Sequence, residues 1–187
     1  MDNVFSIALF ILILAAGIFL LMLFGFIFSR LRSQNSSGEH SEPIRGGNIS
    51  IFFDKNKNVV IIPYAKDKFG RGKAVENPIF LQYPYSADKL GKAVRLSMKL
   101  CESSLVRSSS ELMSLLGVSD WQVFSEGRKN ISIHYQEKYG IVFNTTRRMP
   151  DGAYHFNSQR HDRALPGNVS DRVLGDTLLA LLPMCRV

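Results

Sequence analysis

The chain has 187 residues, 45% of them apolar and 21% charged, with 23 Lys and Arg against 16 Asp and Glu for a formal charge of +7. That length bounds it to one or two small domains, and that composition excludes a disordered or collagen-like polymer. Two cysteines exclude a disulfide scaffold, and no Cys-x-x-Cys pair is present to signal a zinc site.

The first element is an uncharged run from Val4 to Phe28, rich in Phe, Ile, Leu, Ala and Gly. As a helix rising about 1.5 Å per residue it would reach roughly 37 Å, enough to cross a hydrocarbon core about 30 Å thick with some tilt. A cleaved signal peptide is the competing reading. It would call for a basic start and small residues at a cleavage site, whereas this run follows Asp2 and ends in Phe26, Ile27, Phe28, Ser29 and Arg30. Residues 1–32 therefore read as a transmembrane anchor with a basic flank. Arg30 and Arg32 follow the span and nothing basic precedes it, which places the C-terminal side in the cytoplasm.

Residues 33–47 (SQNSSGEHSEPIRGG) show no hydrophobic period and read as a flexible linker, with His40 solvated in it. The expected folded domain is 48–187. With Asp2, Arg30 and Arg32 set aside, the rest of the chain keeps a net charge of about +6.

That domain repeats itself. Asn48–Ile51 (NISI) recurs as Asn130–Ile133, each copy followed by an aromatic residue, a polar turn and a second apolar run. The turns are Asp54–Asn58 and Gln136–Gly140, and Ile49, Ile51, Phe53 and Ile131, Ile133, Tyr135 alternate as strands with one buried face do. Further on, Ser86, Leu90, Gly91 and Cys101 recur 84 residues later as Ser170, Leu174, Gly175 and Cys185, whereas the hairpins are offset by 82. The second copy thus carries a two-residue insertion. Leu90, Val94, Met98 and Cys101 form one helical stripe, and Leu174, Leu178, Leu181, Leu182 and Cys185 the other. Ser86 and Ser170 stand where N-caps belong, and Pro183 should end the second helix. Gly91 and Gly175 lower helix propensity, for which close approach to a neighbour is a reason.

A third strand is expected at Ile79–Tyr83 in the first copy and Ala153–Phe156 in the second. Between the copies, Ser109 or Ser110 should cap a short helix through Leu116 that stops at Gly117, and Trp121 and Phe124 lead into the second hairpin. The copies, 48–101 and 130–185, predict an α+β domain of mainly antiparallel sheet with helices on one face.

Catalytic signatures are missing: there is no nucleophile elbow, P-loop, GxGxxG, HExxH or EF-hand loop. Phe69–Lys73 (FGRGK) would cradle a phosphate only loosely and reads as a plain turn. His134, His155 and His161 lie near Asp151 and Asp162, a set that would serve general acid–base chemistry or a metal only if the fold converged them. His134 falls on the polar side of its strand. No catalytic residue, metal ligand or cofactor is assigned.

Arg147, Arg148, Arg160 and Arg163 bracket Tyr154 and Phe156. Basic residues interleaved with aromatics suit nucleic acid, suit a protein partner equally, or form a solvated sheet face. The partner-binding candidates are Arg147, Arg148, Tyr154, His155, Arg160 and His161. Cys101 and Cys185, at equivalent helix ends, read as small core residues.

Trp121–Phe124 (WQVF), Lys129–Ile133 (KNISI), the basic stretch ending at Asp151 and Gly152, and Ser170–Leu178 (SDRVLGDTL) through Cys185 together resemble the contact-dependent growth inhibition immunity proteins of proteobacteria. The helix opening Ser86–Val94 (SADKLGKAV) matches the same pattern. The resemblance implies a non-enzymatic protein that binds and blocks a toxin domain delivered by a neighbouring cell. Joined to the apolar run, it implies a single-pass protein of the bacterial inner membrane, held by residues 4–28, with a cytoplasmic C-terminal domain. An adaptor binding nucleic acid or anionic lipid through a basic face is the alternative, and a hydrolase using His155 or His161 a third reading.

Overall fold

In the computed structural model, residues 42–66 and 72–187 are described here. The expected anchor and its basic flank (1–32), residues 33–41 of the expected linker and most of the Phe69–Lys73 turn lie outside the described residues. Among the described residues no helix is long and apolar enough to cross a membrane.

The first hairpin is β1 (Asn48–Phe53) and β2 (Val59–Lys66), followed by the short strands β3 (Gly72–Ala74) and β4 (Ile79–Leu81) and helix α1 (Ala87–Leu100). Two shorter helices follow, α2 (Ser109–Leu116) and α3 (Trp121–Ser125). The second copy then runs β5 (Lys129–Gln136), β6 (Gly140–Arg148), β7 (Tyr154–Phe156), β8 (Arg163–Leu165) and α4 (Asp171–Leu181), ending in a 3-10 turn at Leu182–Met184 that contains Pro183. The strands form one antiparallel sheet in the order β3-β2-β1-β5-β6-β7, with β4 also on β2 and β8 also on β6.

This order is that of two copies joined back to back. β1 and β5 pair antiparallel with Ser50 opposite Ser132, and these two serines are repeat counterparts. A pseudo-two-fold axis therefore passes between them. The helices obey it too. A Cβ on Gly91 would lie 1.7 Å from the Asp171 carbonyl oxygen, and one on Gly175 would lie 1.9 Å from that of Ala87. Each glycine faces the counterpart of the residue its twin faces, so α1 and α4 cross antiparallel in backbone contact. The thiols match as well: Cys101 donates to the Asn48 carbonyl at 3.2 Å, and Cys185 to that of Asn130 at 3.2 Å. Ser86 and Ser170 cap α1 and α4 as the sequence predicts, accepting from the Lys89 and Val173 amides.

The main core lies between the sheet and the α1–α4 pair. Ile49, Ile51, Phe53, Ile61, Ile131, Ile133, Ile141 and Phe143 meet Leu90, Val94, Met98, Leu174 and Leu178 there. Each such side chain fully buried stabilises the fold by about 2 kcal/mol against exposure.

Three expectations need correction. Helices occupy both faces, because α2 and α3 cover a second core of Phe52, Val60, Ile62, Ala74, Leu112 and Phe124 on the reverse of β1 and β2. Phe52 there meets Trp121, Phe124 and Tyr154 edge-on at 5.6, 5.1 and 5.5 Å. Tyr154 reaches Phe52 from β7, three strands away at about 4.8 Å per step, because the sheet curls. Secondly, the third strands were mismatched: β4 corresponds to β8, and β7 to β3, so each copy has four strands and the insertion falls between β7 and β8. Thirdly, α2 is capped by Ser108, one residue earlier than expected, in a capping box with Glu111. The packed unit also starts before Asn48. Ile44 is buried and its amide donates to the Gly167 carbonyl at 2.9 Å.

Candidate functional site

The six candidate residues divide by what they touch. Arg148 and Tyr154 are half-buried and hold α3 to the sheet. Arg148 Nε donates to Ser125 Oγ at 3.0 Å, and the Tyr154 hydroxyl donates toward the Ser125 and Arg128 carbonyls at 3.0 and 2.9 Å. Burial pushes the Tyr154 phenol up to about 12. Arg147 and His155 are exposed and sit directly opposite each other across β6 and β7. Arg160 and His161 are exposed in the β7–β8 connection, where the His161 ring lies 5.0 Å from that of Tyr139 in the β5–β6 turn.

The carboxylates near the histidines in sequence accept hydrogen bonds from their own neighbourhood. Asp162 accepts from the Thr145 amide and hydroxyl at 2.5 and 2.8 Å, and Asp151 from the Ala153 amide at 2.9 Å. Among the described residues no group of three His, Cys, Asp or Glu is placed to hold a metal. Both thiols are pushed up chiefly by burial, which opposes nucleophilic use.

A cleft of about 1220 Å³ opens beside Tyr64, Lys73, α2 and Trp121. Several of its polar lining residues are committed to local structure: Ser108 and Glu111 cap one helix, Asp120 caps the next, and Arg107 Nη2 holds the Asn77 side-chain oxygen.

The edge of β7 is different, and the repeat shows why. In the first copy the outer edge of β3 is closed. The chain returning from α1 lays Val106 opposite Val75, with the Arg107 amide donating to the Ala74 carbonyl at 2.8 Å and the Glu76 amide to that of Leu105 at 2.9 Å. The counterparts of Ala74 and Glu76 are Phe156 and Ser158. Their outward carbonyl and amide meet no backbone partner among the described residues. Beside them Phe156 is 55% exposed, and a groove of about 500 Å³ runs along Tyr154–Gln159. A strand edge with unpaired amides and carbonyls is a template for another strand.

The sequence reading missed Arg186. After the 3-10 turn the chain becomes extended and runs parallel to β6. Arg186 lies opposite Arg147, its amide donating to the Thr146 carbonyl and its carbonyl accepting from the Arg148 amide, both at 3.0 Å. Only the helix-ending Pro183 hinted that the tail would rejoin the sheet.

No protein-family description and no curated protein matches this sequence. Solved structures do share the fold. A protein of unknown function from Neisseria meningitidis aligns 98% of its chain with 78% of this one at 13% identity and a TM-score of 0.59. A chain of the CdiA-CT/CdiI toxin and immunity complex from Yersinia pseudotuberculosis aligns 99% of its length with 77% of this one at 11% identity and a TM-score of 0.56. The likeness spans nearly the whole of each neighbour and about three-quarters of this chain.

Proposed function

We propose that this protein is an immunity protein that binds and neutralises a toxin domain by receiving a strand of it on the edge of β7, and that it performs no reaction itself. The observation that carries the reading is the open edge at Phe156 and Ser158, where the symmetry-related edge at Ala74 and Glu76 is closed by the protein's own chain. The shared fold with a chain of a toxin and immunity complex supports it. In this reading the uncharged stretch 4–28 anchors the protein in the inner membrane with its domain on the cytoplasmic side. Tethering raises its local concentration where a toxin would enter.

The test is co-expression with the polypeptide encoded immediately upstream. The full chain restores growth and co-purifies with that polypeptide. Ser158→Pro, which removes the outward amide from an exposed loop, loses both while keeping the thermal midpoint within a few degrees. No rescue by the full chain, or turnover of substrate by the purified protein, overturns the proposal. A second reading, an adaptor for nucleic acid or anionic lipid, is favoured by the exposed arginines around β7 and requires affinity that falls steeply with salt.

A further inference from the structure

Resting on the strand-docking reading, we infer that the strand received by β7 is acidic, its carboxylates extending a row of basic side chains formed by Arg186, Arg147 and His155. The row follows from register. Arg186 is opposite Arg147 on one side, and His155 is opposite Arg147 on the other. Residues directly opposite in neighbouring strands share a face, so the three side chains stand side by side on the surface. All three are exposed.

Like charges in directly opposed positions destabilise a sheet, so a row of this kind calls for a counter-charge. Among the described residues the protein does not supply one. Ion pairs among the described residues join Lys92 to Asp88, Arg95 to Asp171, Lys99 to Glu42 and Arg172 to Asp176, none of them in the row. The acidic residues nearest in sequence, Asp151 and Asp162, are bonded to the backbone amides of Ala153 and Thr145. Arg160 and Arg163 add exposed positive charge on the adjoining connection and β8.

The repeat supplies an internal control. The counterparts of Arg186, Arg147 and His155 are Glu102, Ala65 and Lys73, a set whose charges cancel. Ala65 and Lys73 are paired across β2 and β3 as Arg147 and His155 are across β6 and β7. Thus the closed edge has a balanced row and the open edge an unbalanced one. A strand added beyond β7 continues the face, and every second residue of it stands beside His155 and its neighbours. Acidic residues at those alternate positions neutralise the row, and apolar residues between them meet Phe156.

The test uses the intact protein in non-ionic detergent and labelled seven-residue peptides alternating Glu with Val or Lys with Val, read by fluorescence anisotropy. The Glu peptide binds about tenfold more tightly than the Lys peptide, the combined effect of two or three exposed cross-strand charge pairs. Arg147→Glu with Arg186→Glu abolishes or inverts that preference while the thermal midpoint holds. Equal binding of the two peptides, binding of neither, or a preference that survives the double substitution overturns the inference. Tighter retention of an oligothymidylate through the same arginines also overturns it and favours nucleic acid as the ligand. Ser158→Pro separates the two proposals. Loss of both peptides there, with the Glu preference lost only in the Arg variant, supports both. A Glu preference that persists in Ser158→Pro keeps the anionic partner and removes strand docking.

Discussion

At the scale of single residues, the structure separates side chains that hold the fold from those left exposed on the surface. Arg148 and Tyr154 belong to the first group, since each closes hydrogen bonds between α3 and the sheet. Arg147, His155 and Arg186 belong to the second. One buried residue stands outside both. Ser97 on α1 is fully buried, and its hydroxyl has no hydrogen-bond partner among the described residues. Its repeat counterpart is Leu181, also buried and apolar. An unsatisfied buried hydroxyl costs about 1 kcal/mol or more relative to an apolar group of similar shape. Ser97→Ala is therefore expected to raise the unfolding free energy by about 1 kcal/mol in urea denaturation, against the usual direction of core substitutions.

At the scale of elements, α1 and α4 are joined by backbone contact rather than by interlocked side chains alone. Glycine to alanine inside a helix ordinarily stabilises by about 1 kcal/mol. Here Gly91→Ala and Gly175→Ala push a methyl group into the opposing carbonyl, so the helices must separate, and each should destabilise by about 3 kcal/mol. Near-equal losses would confirm the pseudo-two-fold relation; a gain at either site would refute it. The short helices on the reverse face depend on their caps. Hydrogen bonds from the Val123 amide and then from the Ser119 hydroxyl hold the Asp120 carboxyl below its ordinary value, and the Ser108 amide and hydroxyl do the same for Glu111. A depressed folded value means the stabilisation is present above the unfolded values of about 4 and fades as pH falls through the folded ones. The fluorescence of Trp121, the only tryptophan, should report loosening of α3 below about pH 4. Asp120→Asn keeps a capping oxygen without a titrating group and should remove the Asp120 part of that change.

At the scale of the whole molecule, the domain is two four-strand-and-helix units fused about an axis between Ser50 and Ser132. The thiols report on that unity. Cys101 and Cys185 are buried at equivalent helix ends, so both should react with a thiol reagent at pH 8 only as fast as the domain unfolds, and at similar rates. Labelling of one far ahead of the other would mean that the halves open independently. The two units differ at their outer edges, one docked against the protein's own chain and the other open. Residues 105–107 close the first, and no described segment closes the second.

What the sequence determined by itself was whatever depends on near neighbours. Alternating isoleucines fixed the hairpins, Ser86 and Ser170 fixed the starts of α1 and α4, Gly117 in the left-handed conformation ended α2, and the repeat offsets exposed the duplication. The unbroken apolar run Val59–Ile62 even carried a sign of burial on both faces. Three-residue strands such as β7 and β8 are too short to show a period, so their pairing with β6 waited on tertiary contacts. The same holds for the placement of α2 and α3 on the reverse face and for the return of Arg186 beside Arg147. Those features arise from contacts between residues distant in the chain, and local pattern carries no record of which edge such contacts will close.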